Sequence, residues 1–143
     1  MAGGCVAVVT SASAAMGDVR ALTTYQAVKR EMVSWWRQNR EVFADMQVNL
    51  MLINMGFINT DIWNRAPFHR AHARVVGLFI PKPERYTKRI LQDAAKGKAV
   101  SYPGRGAKLA PLSEAGVYEP NGFIRSLTTN AMRAWFTLWP TRN

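Results

Sequence analysis

Two short apolar runs, 6–9 (VAVV) and 47–53 (QVNLMLI), bracket a long stretch of helical periodicity, and that order leaves this chain few ways to fold. The first run, β-branched and unbroken, reads as a strand buried on both faces of a parallel sheet. From about 23 to 43, Val28, Met32, Trp35, Trp36, Val42 and Phe43 recur mostly three and four apart, with Lys29, Arg30, Arg37 and Arg40 largely between them. That spacing predicts an amphipathic helix. Parallel neighbours need a crossover connection, so strand, helix and strand make one βαβ unit, with Gly56 just past the carboxyl end of its second strand.

The rest of the chain extends the same pattern. Residues 61–80 lose their period and mix Trp63, Pro67, Phe68, His69 and His72 with arginines, as in a long loop of the kind that often carries function. His69 and His72 have the spacing of metal ligands, but no third ligand accompanies them and they read as loop residues. Pro83 opens a helix carrying Tyr86, Ile90, Leu91 and Ala94, and Gly97 offers a left-handed cap. Residues 98–102 read as a short third strand. Pro103, Gly104, Gly106, Pro111, Gly116, Pro120 and Gly122 then mark a turn-rich connection, after which Phe123, Leu127, Ala131, Ala134, Trp135 and Leu138 fall on one helical face that Pro140 ends. The expected class is therefore α/β: a partial parallel sheet of about three strands over residues 1–102, and a connection with an amphipathic helix over 103–143.

Composition narrows the partners. With 143 residues and 48% hydrophobic content the chain can build one real core. Nineteen Lys and Arg against nine Asp and Glu give +10, which calls for an acidic partner such as nucleic acid or an anionic membrane surface to be considered. The aromatics lie mainly on apolar helix faces and form no stacking motif, which argues against nucleic acid. The stretch 123–139, with Arg125 and Arg133 beside its apolar stripe, suits a membrane surface or a pocket cover; packing against a partner helix is the plainer reading. Cys5 stands alone, so it forms no internal disulfide, reads as a small buried apolar residue and fits a reducing, intracellular compartment. No basic region precedes the apolar core at 5–9, which is shorter than the roughly seven residues of a secretory signal. No apolar run approaches the roughly 20 residues of a membrane span; 42–62 is broken by Asp45, Asn49, Asn54 and Asn59.

Tyr25 and Lys29 sit four apart at the start of the first long helix, so a phenol and an ammonium share one face. A nearby cation favours a phenolate, which is how a tyrosine becomes useful as a proton donor or acceptor near neutral pH. Ser11 follows the first strand, at the end of a parallel sheet where ligands bind. The pair alone carries little specificity, and its plain reading is an exposed tyrosine beside a solvated lysine. The order carries more: a strand ending in Thr10-Ser11, then Tyr25-Gln-Ala-Val-Lys29, then a strand running into Asn54-Met55-Gly56-Phe57-Ile58-Asn59-Thr60.

That ordered set resembles the second half of the short-chain dehydrogenase/reductase family, closest to its hydroxysteroid-dehydrogenase-like branch. The resemblance covers about 4–60 well and 83–102 loosely. It implies a Rossmann-type sheet, a nicotinamide cofactor (NAD or NADP) and a small apolar carbonyl or secondary alcohol as substrate. By resemblance Ser11 holds the substrate oxygen, Tyr25 exchanges the proton, and Lys29 assists Tyr25 while binding the nicotinamide ribose. Gly56, Ile58 and Thr60 match the segment that holds the carboxamide, with Met55 where the family has proline. Met55 makes that loop less rigid.

The family's glycine-rich pyrophosphate turn and its asparagine belong before this sequence begins, so the cofactor is expected only if that half is supplied. The strand at 6–10 then presents an open apolar edge that invites self-association or a partner chain. The expected function is a truncated or split oxidoreductase of this family; the alternative is a half-domain without catalysis that serves as a structural or interaction subunit of a larger complex.

Overall fold

The two apolar runs form strands β1 (Cys5–Ser11) and β2 (Asn49–Met55), paired in parallel from Cys5 opposite Asn49 to Ser11 opposite Met55. The computed structural model of the chain describes residues 3–56, 58, 78, 80, 82–104, 106–109, 111, 112 and 121–138. Helix α1 (Thr23–Asp45) joins the two strands and lies across both. A second helix, α2 (Glu84–Ala95), leads to the short strand β3 (Val100–Ser101), which pairs parallel to β2 through Leu52 opposite Val100 and Ile53 opposite Ser101. Helix α3 (Gly122–Leu138) follows. Among the described residues the sheet is three-stranded, parallel and ordered β1-β2-β3. The chain is thus an α/β protein of partial Rossmann-like form, with flanking helices and a helical C-terminal segment.

Burial follows the sheet's geometry. Val33 and Trp36 of α1 pack on Leu50 and Leu52 of β2, with Val8, Phe43, Val100 and Leu112 around them. The Trp36 indole also donates to the Leu50 carbonyl at 2.7 Å. That carbonyl lies on the β3 side of β2 before β3 begins to pair, so the indole satisfies a backbone group the sheet leaves over. Met51 and Ile53, on the opposite face of β2, are buried as well. The central strand is therefore covered on both faces, as a parallel strand requires.

Five expectations need correction. β1 is not buried on both faces: Val6 and Val9 are more than two-fifths exposed, because β1 is the outer strand and lacks the neighbour that would cover them. Cys5 is exposed at its start. On α1, Val28, Trp35 and Val42 remain about half exposed while Val33 and Trp36 go inward, so the apolar stripe is wider than the face the sheet can cover. On α3 the docked face is Thr129, Met132, Trp135 and Phe136, packed with Val19 and Leu22, whereas Phe123, Leu127 and Leu138 point to solvent. On α2, Leu91 is exposed and Asp93 is the buried residue. Gly97 adopts the expected left-handed conformation after α2, with φ of 66°. No helix among the described residues is long and apolar enough to cross a membrane.

Candidate functional site

The described residues singled out for chemistry lie at or past the carboxyl ends of β1 and β2 and on the first turns of α1. Ser11 ends β1 and caps the short 3-10 turn Ala12–Ala15. Its hydroxyl accepts from the Ser13 N–H at 3.3 Å and lies 3.0 Å from the Ser13 hydroxyl. Ser11 therefore shapes the loop that follows it.

That loop is held from two sides. Gln26, fully buried on α1, donates to the carbonyls of Ser13 (3.0 Å) and Gly17 (3.1 Å) and accepts from the Val19 N–H (3.0 Å). One helical turn on, Arg30 donates to the carbonyls of Ala14 and Met16 and pairs with Asp18 at 3.1 Å. From α3, Thr129 accepts the Gly17 N–H at 2.9 Å and Arg133 donates twice to the Asp18 carbonyl. A Cβ at Gly17 would come within 3.1 Å of the Thr129 methyl, so glycine here lets α3 approach. Sequence reasoning missed Gln26, Arg30 and Thr129, because polar residues on a helix read as its solvent face. A glutamine falling on the same side as Val33 was the available signal.

Tyr25 and Lys29 do come together. The Lys29 ammonium lies over the Tyr25 ring, 5.5 Å from its centroid, within cation–π range. The same ammonium donates to the Val9 carbonyl of β1 at 3.2 Å and contacts the Met32 sulfur at 3.7 Å. Below it, the Thr10 hydroxyl donates to the Lys29 carbonyl at 2.9 Å, fastening β1 to α1. Burial lowers the Lys29 pKa from its usual value, since an ammonium partly withdrawn from water is disfavoured. Among the described residues the ammonium meets the face of the ring, and no hydrogen bond joins it to the phenolic oxygen.

Past β2, the Gly56 N–H is bonded to the Pro103 carbonyl at 2.9 Å. Gly104, at φ of 93°, packs so closely that a Cβ there would lie 3.3 Å from Gly56 backbone atoms. Ile58 is buried, and Asn54, fully buried, donates to the Ala107 carbonyl at 3.5 Å. Thr60, His69 and His72 lie outside the described residues.

A nicotinamide dinucleotide is held by backbone N–H groups offered to its pyrophosphate and carboxamide. Here the Gly56 N–H is taken by Pro103, the Ser13 N–H by Ser11 and the Gly17 N–H by Thr129. Of the residues matched to the carboxamide segment, Gly56 thus has its N–H bonded within the fold. At the outer edge of the sheet the structure brings a tyrosine and a lysine into contact. No family model, no curated protein and no solved structure matches the chain.

Proposed function

We propose that this chain works as an interaction subunit, contributing a three-stranded half-sheet that is completed by another polypeptide at β1. One observation carries the reading: among the described residues β1 is an edge strand of the sheet, and it is largely apolar and exposed. The register and the Asn49 N–H bonded to the Gly4 carbonyl set which backbone groups face β2. Alternate residues of a parallel strand turn to opposite sides, so Val6, Val8 and Thr10 serve β2 while Cys5, Ala7 and Val9 turn outward. The Lys29 ammonium on the Val9 carbonyl occupies that outer side. An apolar edge of this kind pairs with other strands unless it is guarded.

Sedimentation velocity on the full chain tests this. A species heavier than the 16.0 kDa monomer is expected, and Val9→Pro is expected to shift it to monomer. Proline at Val9 removes an outward N–H and leaves the β1–β2 ladder intact. A monomer at all concentrations, or association insensitive to Val9→Pro, would overturn the reading.

A second reading, nicotinamide-dependent oxidation or reduction of a small apolar alcohol or carbonyl, is supported by the contact between Tyr25 and Lys29 at the end of β1. It requires that further polypeptide supply the dinucleotide site. Titration of the chain alone with reduced nicotinamide dinucleotide is expected to leave the cofactor's fluorescence unchanged. Quenching by the chain alone would show that the chain itself holds the dinucleotide, against that requirement, and would favour the second reading over the first.

A further inference from the structure

Helix α1 carries a second apolar seam that the sheet does not use. Tyr25, Val28, Met32, Trp35, Asn39 and Val42 follow each other at alternating spacings of three and four, the repeat of two helices packed side by side. Tyr25 is 37% exposed, Val28 48%, Trp35 47% and Val42 49%, in contrast to the buried Trp36 next to the seam. The seam borders the outer edge of β1, because Lys29 touches both the Met32 sulfur and the Val9 carbonyl. Strand edge and helix seam therefore form one continuous surface.

We propose that a second copy of this chain occupies that surface, related by a two-fold axis normal to the sheet and passing near Val8 and the middle of α1. This rests on the reading of β1 as a docking edge and names its partner. Three observations support it.

The first is spacing. α1 packs on both β1 and β2, and an axis midway between them lies about half a strand spacing inside β1. Pairing two β1 strands antiparallel at about 4.8 Å leaves the two α1 axes about 10 Å apart, the distance of packed helices. One axis thus satisfies strands and helices together. Val8 packs in the cluster that holds Val33, so strand and helix centres lie above one another.

The second is charge. α1 has no acidic residue in its first turn and no basic residue in its last, where Asp45 lies against the negative end of its own dipole. An antiparallel copy sets Asp45 beside the amino-terminal turn of the other α1 and relieves this. A parallel copy would stack the like charges.

The third is fit and size. Antiparallel packing places Tyr25 opposite Val42 of the second copy, Val28 opposite its Asn39 and Met32 opposite its Trp35, and it covers Val6. The 23-residue helix is about 34 Å long, and a contact about 12 Å wide covers roughly 400 Å² per copy. That is about half of a standard interface; the strand edge adds to it, and a micromolar dimer is expected.

Cross-linking distinguishes this from other modes of edge association. In a Cys5→Ser background, Val28→Cys combined with Asn39→Cys is expected to form an interchain disulfide giving a dimer, while Val28→Cys alone forms none. Trp35→Glu, at an exposed position, is expected to weaken dimerisation at least tenfold. A cross-link from Val28→Cys alone, or open-ended oligomers in place of a dimer, overturns the proposal. Association that is sensitive to Val9→Pro but gives no cross-link in the double variant also overturns it, yet leaves edge docking standing; a monomer throughout removes both.

Discussion

Replacing Asp93 with alanine is expected to lower the unfolding free energy by about 3 kcal/mol, a large part of the roughly 5–15 kcal/mol available to a domain. Asp93 is the buried residue of α2, and its carboxylate gathers three donors, one each from α2 itself, the turn after it and β3. The Ser101 hydroxyl donates at 2.7 Å, the Lys98 ammonium pairs at 2.7 Å and the Arg89 guanidinium at 3.0 Å. Burial alone would raise the Asp93 pKa; the bonds from Lys98, Ser101 and Arg89 outweigh it and hold the carboxyl well below the usual carboxylate range. The two cations are half exposed, so water reclaims them when the carboxylate is lost, but the Ser101 hydroxyl is left buried without its acceptor. The expected loss therefore falls at the lower end of that for breaking a buried ion pair. The pH dependence has a definite sign. A carboxylate with a depressed folded-state pKa contributes its full stability above the unfolded value of about 3.9, and loses it as pH falls below that. Chemical denaturation of the wild type is expected to show stability falling from about pH 5 downward, with a flatter profile in Asp93→Asn over the same window. Equal slopes in the two proteins would mean that Asp93 is not the group responsible.

Asp93 also marks the limit of what could be read from the residues. Strand β2 was legible because a strand covered on both faces must be apolar throughout, and Leu50, Met51, Leu52 and Ile53 are. The existence of α1, α2 and α3 was legible from period, Pro83 and Gly97 for the same reason: local rules act within a few residues. The facing of those helices was not. α1 offers apolar residues over more than half its circumference, and only the width of a three-stranded sheet decides that Trp36 enters and Trp35 does not. On α3 the choice of Phe136 and Thr129 over Phe123 and Leu127 depends on the distant loop at Gly17 and Val19, to which no spacing points. Tyr25 and Lys29 were legible as neighbours, being one turn apart. That the ammonium would also reach Val9 was not, because a backbone carbonyl at a sheet edge leaves no mark in the sequence.

That contact sets up the second large effect: Lys29→Met is expected to strengthen self-association of the chain about tenfold. The wild-type ammonium holds the outward Val9 carbonyl, which an incoming strand's N–H must take instead. Displacing it costs one charge-assisted hydrogen bond and the contact with the Tyr25 ring. Methionine keeps the length and apolar body of the side chain, matches the neighbouring Met32 in character and leaves the carbonyl open. Burial disfavours the charged form of the ammonium that it removes. A tenfold change is about 1.4 kcal/mol, close to the lower end of the net worth of a hydrogen bond to a charged group. Lys29→Arg keeps the charge and is expected to retain the guard. The comparison separates two roles for one residue. A lysine that serves only the tyrosine would leave association unchanged in both variants, whereas a lysine that guards the edge releases association in the methionine variant alone. Sedimentation equilibrium of the three proteins at matched concentrations reads the difference directly, and equal dimer fractions would return Lys29 to its place beside the phenol.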